Sequence, residues 1–541
     1  LHIDSTHQSP YNRFGIKEEI INWAEIISRK HPTILSLAAN PYSLSFFNTE
    51  DFKSIIIGYN DSPASRDLSG QLIFGGISAN GKLPVSTRQY PAGTGIKTPK
   101  TRLKYSQPEA FGVQNKDLDT IDNIIRHAIT EEAMPGCQVM AIKRGEVIYD
   151  KTFGHHTYLK ERKVQNNDLF DIASLTKIIA TVPALMKLYE SDQLDIDQTL
   201  GHYLSAINNT NKKDLIIKEI LAHQSGLKSW IPFYYKAFTL LKKKDKLTDN
   251  EFSYSYPFKV GKHTFLNRNY IFKEDFFRHQ PTGKFNIEIA KNMYMNMDYI
   301  DTVYQTINQS ELSEKKEYKY SDLGYYYFTK IIESQTKVSF REYLDTRFYK
   351  PLGMNHTVFL PRQKYPDSII IPTENDRVFR NQVLRGYVHD PGAAMLGGIA
   401  GHAGLFSNAR DLAIFMQMLI NKGVYGGIRY FNPETIDFFT KCHFCEENRR
   451  GLGFDKPEPD KDEFGPTCQC TSLQSYGHSG FTGSYAWADP ESQIVYIFLS
   501  NRIHPEGYNR KLIEMDIRTN IQKEIHRLFD PGFEKNISEK E

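Results

Sequence analysis

Ser174 and Lys177, three residues apart, open the apolar-periodic run DIASLTKIIATVPALMKLYES (171–191). That spacing is nearly one helical turn, so hydroxyl and ammonium share one face of the helix the run predicts. An ammonium beside a serine oxygen, at a helix amino terminus that favours negative charge, is the setting of an activated nucleophile. The spacing alone is common and needs partners. Tyr320-Ser321-Asp322 precedes the helical run LGYYYFTKIIES. Either Ser321 or Asp322 caps that helix behind a packed tyrosine, or the tyrosine moves protons and the aspartate pairs with Lys177. His478-Ser479-Gly480-Phe481 stands just before the strand signal SYAWADP, where Gly480 would let the backbone approach a substrate closely.

Cys442, Cys445, Cys468 and Cys470 form two close pairs. Four such thiolates hold zinc tetrahedrally or, in an oxidising compartment, form one or two cross-strand disulfides, and both readings stay open. His223, His389 and His402 match no metal spacing and read as structural residues or supports of the site. The site as read contains no metal ligand and no cofactor.

The elements that must position these groups follow from periodicity. Gly15 to Lys30 carries Ile16, Ile20, Ile21, Ala24 and Ile27 at helical spacing, and ILSLAA (34–39) and SIIIGY (54–59) read as buried parallel strands. A helix from Pro63 to Phe74 takes Ser62 as its cap. Gly- and Pro-rich coil follows. From Leu118 to Glu132 an amphipathic helix leads into two strand signals, CQVMAIKRG and EVIYDKTFG. The carboxy-terminal end repeats that texture, with SYAWADP, QIVYIFLSNR and a helix from Arg510 to Leu528. The expectation is a helix packed on an antiparallel sheet built from both chain ends. Residues 228–316, aromatic and basic, form either a helical cap over the pocket or a second small core.

Three motifs in order, with LAHQSGL (221–227), FYKPLGM (348–354) and GGIAGHAGLFSNARDLAIFMQML (397–419), resemble the class C β-lactamase, D-aminopeptidase and esterase group of serine hydrolases. VHDPGAAMLGG (388–398) is similar to a branch that includes muramoyl-peptide amidases. The resemblance implies Ser174 as the acylated nucleophile, with Lys177 and Tyr320 sharing the proton work and the immediate base left open. It implies an oxyanion hole from the N–H groups of Ser174 and Phe481. Asp322 departs from the Asn of that family, and His478-Ser479-Gly480 from its Lys-Thr-Gly; a titratable group thus replaces a fixed cation. Upstream, FGGISANGKLPVS and RLKYSQPEAFGV (102–113) resemble the end of a glycoside hydrolase family 3 protein, whose catalytic barrel has no counterpart here.

The expected layout is α/β and α+β. Residues 1–105 read as a partial α/β sandwich, 106–115 as a linker, 116–530 as a β-lactamase/transpeptidase-like domain with the 228–316 insertion, and 531–541 as a frayed tail. A chain of 541 residues is long enough for that division, and 67 basic against 64 acidic residues give no field for nucleic acid. No apolar run is long enough to span a membrane. The opening at Leu1 reads as a mature or excised piece whose export signal lies outside it. The expected partner is a small-molecule or muropeptide substrate, with a fused glycosidase barrel outside the chain. A periplasmic or secreted location is expected. Three function classes remain: an acyl-enzyme hydrolase of amides or esters, including β-lactamase or esterase activity; a β-lactam sensor that acylates without turnover; and a piece of an N-acetylglucosaminidase fusion.

Overall fold

The computed structural model describes residues 1–242, 244–460 and 463–533. The charged tail expected from residue 534 onward lies outside the described residues. The chain divides into two compact units, Leu1–Ser106 and Gln107–Glu541.

In the first unit, strands His2–Asp4, Ile34–Ala38 and Ser54–Ile57 lie parallel in that order. Leu35 and Leu37 are fully buried among Ile21, Ala24 and Phe47, the core that the apolar runs imply. The first helix runs over Glu18–Lys30, three residues later than its periodicity suggests. Gly15, with φ +82°, ends a tight turn before it. Helix Pro63–Ile73 begins as expected, with Ser62 Oγ accepting the Ser65 N–H at 3.1 Å.

The second unit is built on an antiparallel sheet. Its strands Tyr476–Ser479, Tyr485–Asp489, Ile494–Ser500, Gly136–Lys143 and Glu146–Gly154 are neighbours in that order. The pairing of Ile494–Ser500 with Gly136–Lys143 closes the sheet from both chain ends, as the repeated texture predicts. Helices Asp119–Thr130 and Ile517–Phe529 share one core with that sheet, where Ile121, Ile125, Ile521 and Ile525 meet Val139, Trp487 and Tyr496. Helix Ala409–Ile420 contacts the same strands and is buried at every residue but Arg410. Strand Gly136–Lys143 is therefore buried at every position instead of alternating. The predicted single carboxy-terminal helix breaks into Lys511–Glu514 and Ile517–Phe529 because Asp516 is left-handed, φ +51°.

The nucleophile's helix has an identifiable kink. Pro183 has no N–H to give to the Ile179 carbonyl, one helical turn back. The Lys177–Thr181 segment widens into a π turn there, and the Tyr349 hydroxyl donates to the freed Ile179 oxygen at 3.1 Å. The helix resumes over Val182–Glu190 and packs against helix Leu323–Thr336.

The 228–316 insertion corrects the helical expectation. It is a set of short antiparallel strands, among them Phe238–Leu240 with Tyr270–Phe272 and Phe285–Ala290 with Met293–Asn296, followed by helix Asp298–Gln309. Aromatic side chains favour such pleated pairs. Phe238, Phe272, Phe276 and Tyr234 form ring contacts with Phe379, which lies between strands Pro372–Asp376 and Gln382–Arg385. A second small core is thus present.

The cysteines are linked locally, Cys442 to Cys445 and Cys468 to Cys470, and not across strands. Cys137 is free and buried. Among the described residues no helix is long and apolar enough to cross a membrane. Thiol titration of denatured, unreduced protein should therefore count one thiol of the five cysteines. Five free thiols with stoichiometric zinc would refute both links.

Candidate active site

The turn before Ser174 is held in a conformation that an L-residue resists. Ala173 has φ +46°, which costs on the order of 1–3 kcal/mol and must be imposed by its surroundings. Strand Phe170–Asp171 pairs with Leu405–Ser407. Asp171 Oδ1 then accepts the Ala173 N–H at 2.9 Å, and the Thr482 hydroxyl donates to the Asp171 carbonyl at 2.8 Å. A Cβ on Gly480 would stand 2.6 Å from the Ile172 carbonyl. The close approach expected at Gly480 is therefore made by the nucleophile's own turn.

Ser174, Lys177, Tyr320 and Asp322 converge. Lys177 is fully buried, and its Nζ donates to Ser174 Oγ at 2.9 Å and to the His402 carbonyl at 3.3 Å. Asp322 Oδ1 lies 2.6 Å from the same nitrogen, and its side chain makes no cap bond to the helix it precedes. Of the two alternatives for Asp322, pairing is the geometry found. The Tyr320 hydroxyl is 3.0 Å from Ser174 Oγ. The ring of Tyr320 has two cations near it, Lys177 Nζ at 5.1 Å from its centroid and the Arg450 guanidinium at 5.2 Å.

Burial alone would lower the pKa of Lys177, but the charge of Asp322 and the contact with Tyr320 outweigh it, so the ammonium is held protonated. Burial raises the pKa of Tyr320 more than the charge of Lys177 lowers it, so the phenol is neutral at rest. At rest the Tyr320 hydroxyl donates to Ser174 Oγ; with the phenol proton turned to a leaving group, the serine can donate its own proton to the phenol oxygen.

His478 is buried, and its Nδ1 lies 2.7 Å from the Ser479 carbonyl. Burial first, then the charges of Arg450 and Lys177, push its pKa well below the ordinary histidine value, so the imidazole is uncharged at neutral pH. His223, expected to be structural or a support of the site, backs the tyrosine. Its Nδ1 accepts the Ser321 N–H at 3.1 Å, and its ring lies 4.4 Å from that of Tyr320. His402 pairs with Asp390 at 2.8 Å and His389 with Glu374 at 2.6 Å. The N–H groups of Ser174 and Phe481 donate to no protein acceptor among the described residues.

Sequence reasoning missed Arg450 and Asp171. Arg450 bonds Asp455 and the Tyr318 hydroxyl, each at 3.1 Å, and its N–H donates to Asn448 Oδ1 at 3.1 Å. The one sequence signal was a pair of arginines, Arg449-Arg450, shortly before Asp455. Asp171 carries no signal beyond its nearness to Ser174.

A serine in hydrogen-bond reach of a buried lysine and a tyrosine, with unpaired N–H groups available for an oxyanion, is serine hydrolase geometry. The Beta-lactamase family model matches residues 121–517, well over half of the chain, and the chain belongs to that family. Curated relatives named "Putative D-alanyl-D-alanine carboxypeptidase" from Salmonella typhimurium and Salmonella gallinarum are each 28% identical over 436 residues, covering 76% of this chain and 88% of the relative. Among solved structures, EstCE1, titled "a hydrolase with promiscuous acyltransferase activity", superposes with TM-score 0.52 at 16% identity, covering 76% of this chain and 99% of its own. A penicillin-binding protein homologue from Caulobacter crescentus gives TM-score 0.50 at 16% identity, with 77% and 99% covered. These two likenesses show the β-lactamase and penicillin-binding-protein fold.

The neutral histidines set a pH limit. Where a buried histidine's pKa falls below its unfolded value of about 6.5, the unfolded chain binds more protons, so stability rises with pH and is lost as pH falls below that value. Both His478 and His223 are of this kind. His478→Gln should flatten the loss of denaturation midpoint between about pH 6.5 and pH 5. An unchanged pH profile would refute the assignment.

Proposed function

We propose that residues 116–530 act through an acyl-enzyme on amide or ester bonds of peptidoglycan-derived peptides. The observation that carries this reading is the double contact of Ser174 Oγ, 2.9 Å from Lys177 Nζ and 3.0 Å from the Tyr320 hydroxyl. Ser174 Oγ attacks the carbonyl carbon, and its proton passes to the Tyr320 oxygen while the phenol proton passes to the leaving group. Lys177 stays charged throughout and stabilises the negative charge that builds on both oxygens. The N–H groups of Ser174 and Phe481 receive the oxyanion. Water then reverses the relay. It attacks the acyl carbon, its proton moves through Tyr320 to Ser174 Oγ, and the acyl–serine bond breaks.

The substrate class draws support from the printed name of the curated relatives and from His478. A neutral imidazole in place of a fixed cation gives little purchase on a β-lactam carboxylate. Two disulfides suit the oxidising periplasm or exterior. Kinship of residues 1–105 with family 3 glycosidases remains a proposal carried by the string FGGISANGKLPVS.

Ser174→Ala should abolish ester turnover and fluorophosphonate labelling, a loss of roughly a thousandfold or more. Lys177→Ala should label very slowly. A peptide map with the label on any residue other than Ser174 would overturn the mechanism.

A further inference from the structure

Phe481 brings more to the site than its N–H. Its ring is 50% exposed and lies parallel to the His389 imidazole, with centroids 5.0 Å apart and planes 6° apart. The Arg502 guanidinium stands 5.0 Å from the same ring. Arg502 makes no ion pair among the described residues.

His389 is fixed by its surroundings. Its N–H donates to Asp171 Oδ2 at 2.7 Å, so one carboxylate holds both this residue and Ala173. Its carbonyl accepts from Arg380 Nη2 at 2.6 Å, and Nδ1 lies 2.6 Å from Glu374 Oε2. Its side chain keeps 18% exposure, and Nε2 has no protein partner among the described residues. An imidazole oriented by a carboxylate, with its second nitrogen left free and its ring stacked on that of Phe481, is a prepared binding group that the Ser174 relay does not use.

We propose that His389 Nε2, seated against Phe481 and backed by Arg502, receives a carboxylate on the acyl portion of the substrate, so that preferred acyl donors are anionic. This rests on the acyl-enzyme reading of Ser174. On that reading Tyr320 hands its proton to the leaving group and so marks that side of the bond, which leaves the acyl portion to meet the stacked rings of Phe481 and His389. Glu374 accepts the Nδ1–H and favours the imidazolium, the one form of the ring that also carries an Nε2–H.

The charged groups around the imidazole set its titration. Glu374 faces it directly, Asp171 accepts the backbone N–H of the same residue, Arg380 is tied to Asp376, Asp390 is tied to His402, and Arg502 lies against the Phe481 ring. Burial lowers the His389 pKa, but Glu374 and then Asp171 raise it further, so the net shift is upward. The positive charge is present below that raised pKa and is lost as pH climbs through it.

Matched p-nitrophenyl esters test the inference, since the hemiglutarate carries the carboxylate that the valerate lacks. Near pH 6 the protein should favour the hemiglutarate by on the order of tenfold in kcat/KM, and the ratio should fall as pH rises. In His389→Gln and in Glu374→Gln the ratio should be close to one and flat with pH. A ratio near one in the unaltered protein, or a preference that survives His389→Gln, overturns the carboxylate site. Titrating Ser174→Ala protein with glutarate and following the His389 ring proton by NMR reads the site without turnover. A shift that glutaramide does not reproduce supports the inference, and the absence of such a shift overturns it. Loss of the acyl-enzyme reading would instead appear as a missing Ser174 adduct, so the two failures are distinct.

Discussion

The buried ammonium of Lys177 is the constraint that organises this site. An uncompensated charge at zero exposure would cost several kcal/mol or more, so its three donors must find acceptors. One acceptor is Ser174 Oγ in its own turn; the other two come from distant stretches, Asp322 at the head of helix Leu323–Thr336 and the His402 carbonyl. The rings of Tyr320 and Tyr325 stand 5.1 and 5.3 Å from the nitrogen. Bringing the His402 segment in requires glycine nearby. A Cβ on Gly401 would stand 2.4 Å from the Tyr325 carbonyl, and the Thr181 hydroxyl donates to the Gly401 carbonyl at 2.6 Å. Satisfying one cation thus fixes the relative placement of helix, loop and nucleophile.

A second cation explains the histidine at position 478. Arg450 is buried, paired with Asp455 and set against Tyr320. With Lys177 and Arg450 already flanking the tyrosine, a lysine at 478 would place a third positive charge in the same desolvated region, where like charges repel strongly. A neutral imidazole fills the position without that cost. The second positive charge near the tyrosine, beside Lys177, comes from the loop after the Cys442–Cys445 link and not from the strand that holds His478.

What the sequence revealed tracks how local each relationship is. The Ser174–Lys177 pair follows from helical spacing within one turn and could be read directly. Tyr320, Asp322 and the 478–481 segment were legible by their order along the chain and by family resemblance, because nothing local says that they meet. Asp171, Arg450 and Glu374 act through partners whose positions depend on the finished fold, so periodicity could not single them out. The 228–316 insertion stayed undecided between a helical cap and a second small core for another reason. Its aromatic residues show no clean period of two or of 3.6, and short strands of two to six residues leave too few repeats for one to emerge. The break at Asp516 had no glycine or proline to announce it.

The strained turn at Ala173 shows why the nucleophile cannot be a property of its helix alone. A left-handed alanine would relax toward ordinary backbone angles unless several contacts overruled it. Asp171 supplies the acceptor for the Ala173 N–H, Thr482 pins the Asp171 carbonyl, and Gly480 lets the segment after strand Tyr476–Ser479 close against Ile172. Thr482 and Gly480 belong to the segment that also carries the Phe481 N–H. The contacts that bend the chain before Ser174 are therefore the same ones that set the oxyanion donor opposite it. Nucleophile and donor are positioned as one unit by contacts between the segment before Ser174 and the segment after strand Tyr476–Ser479.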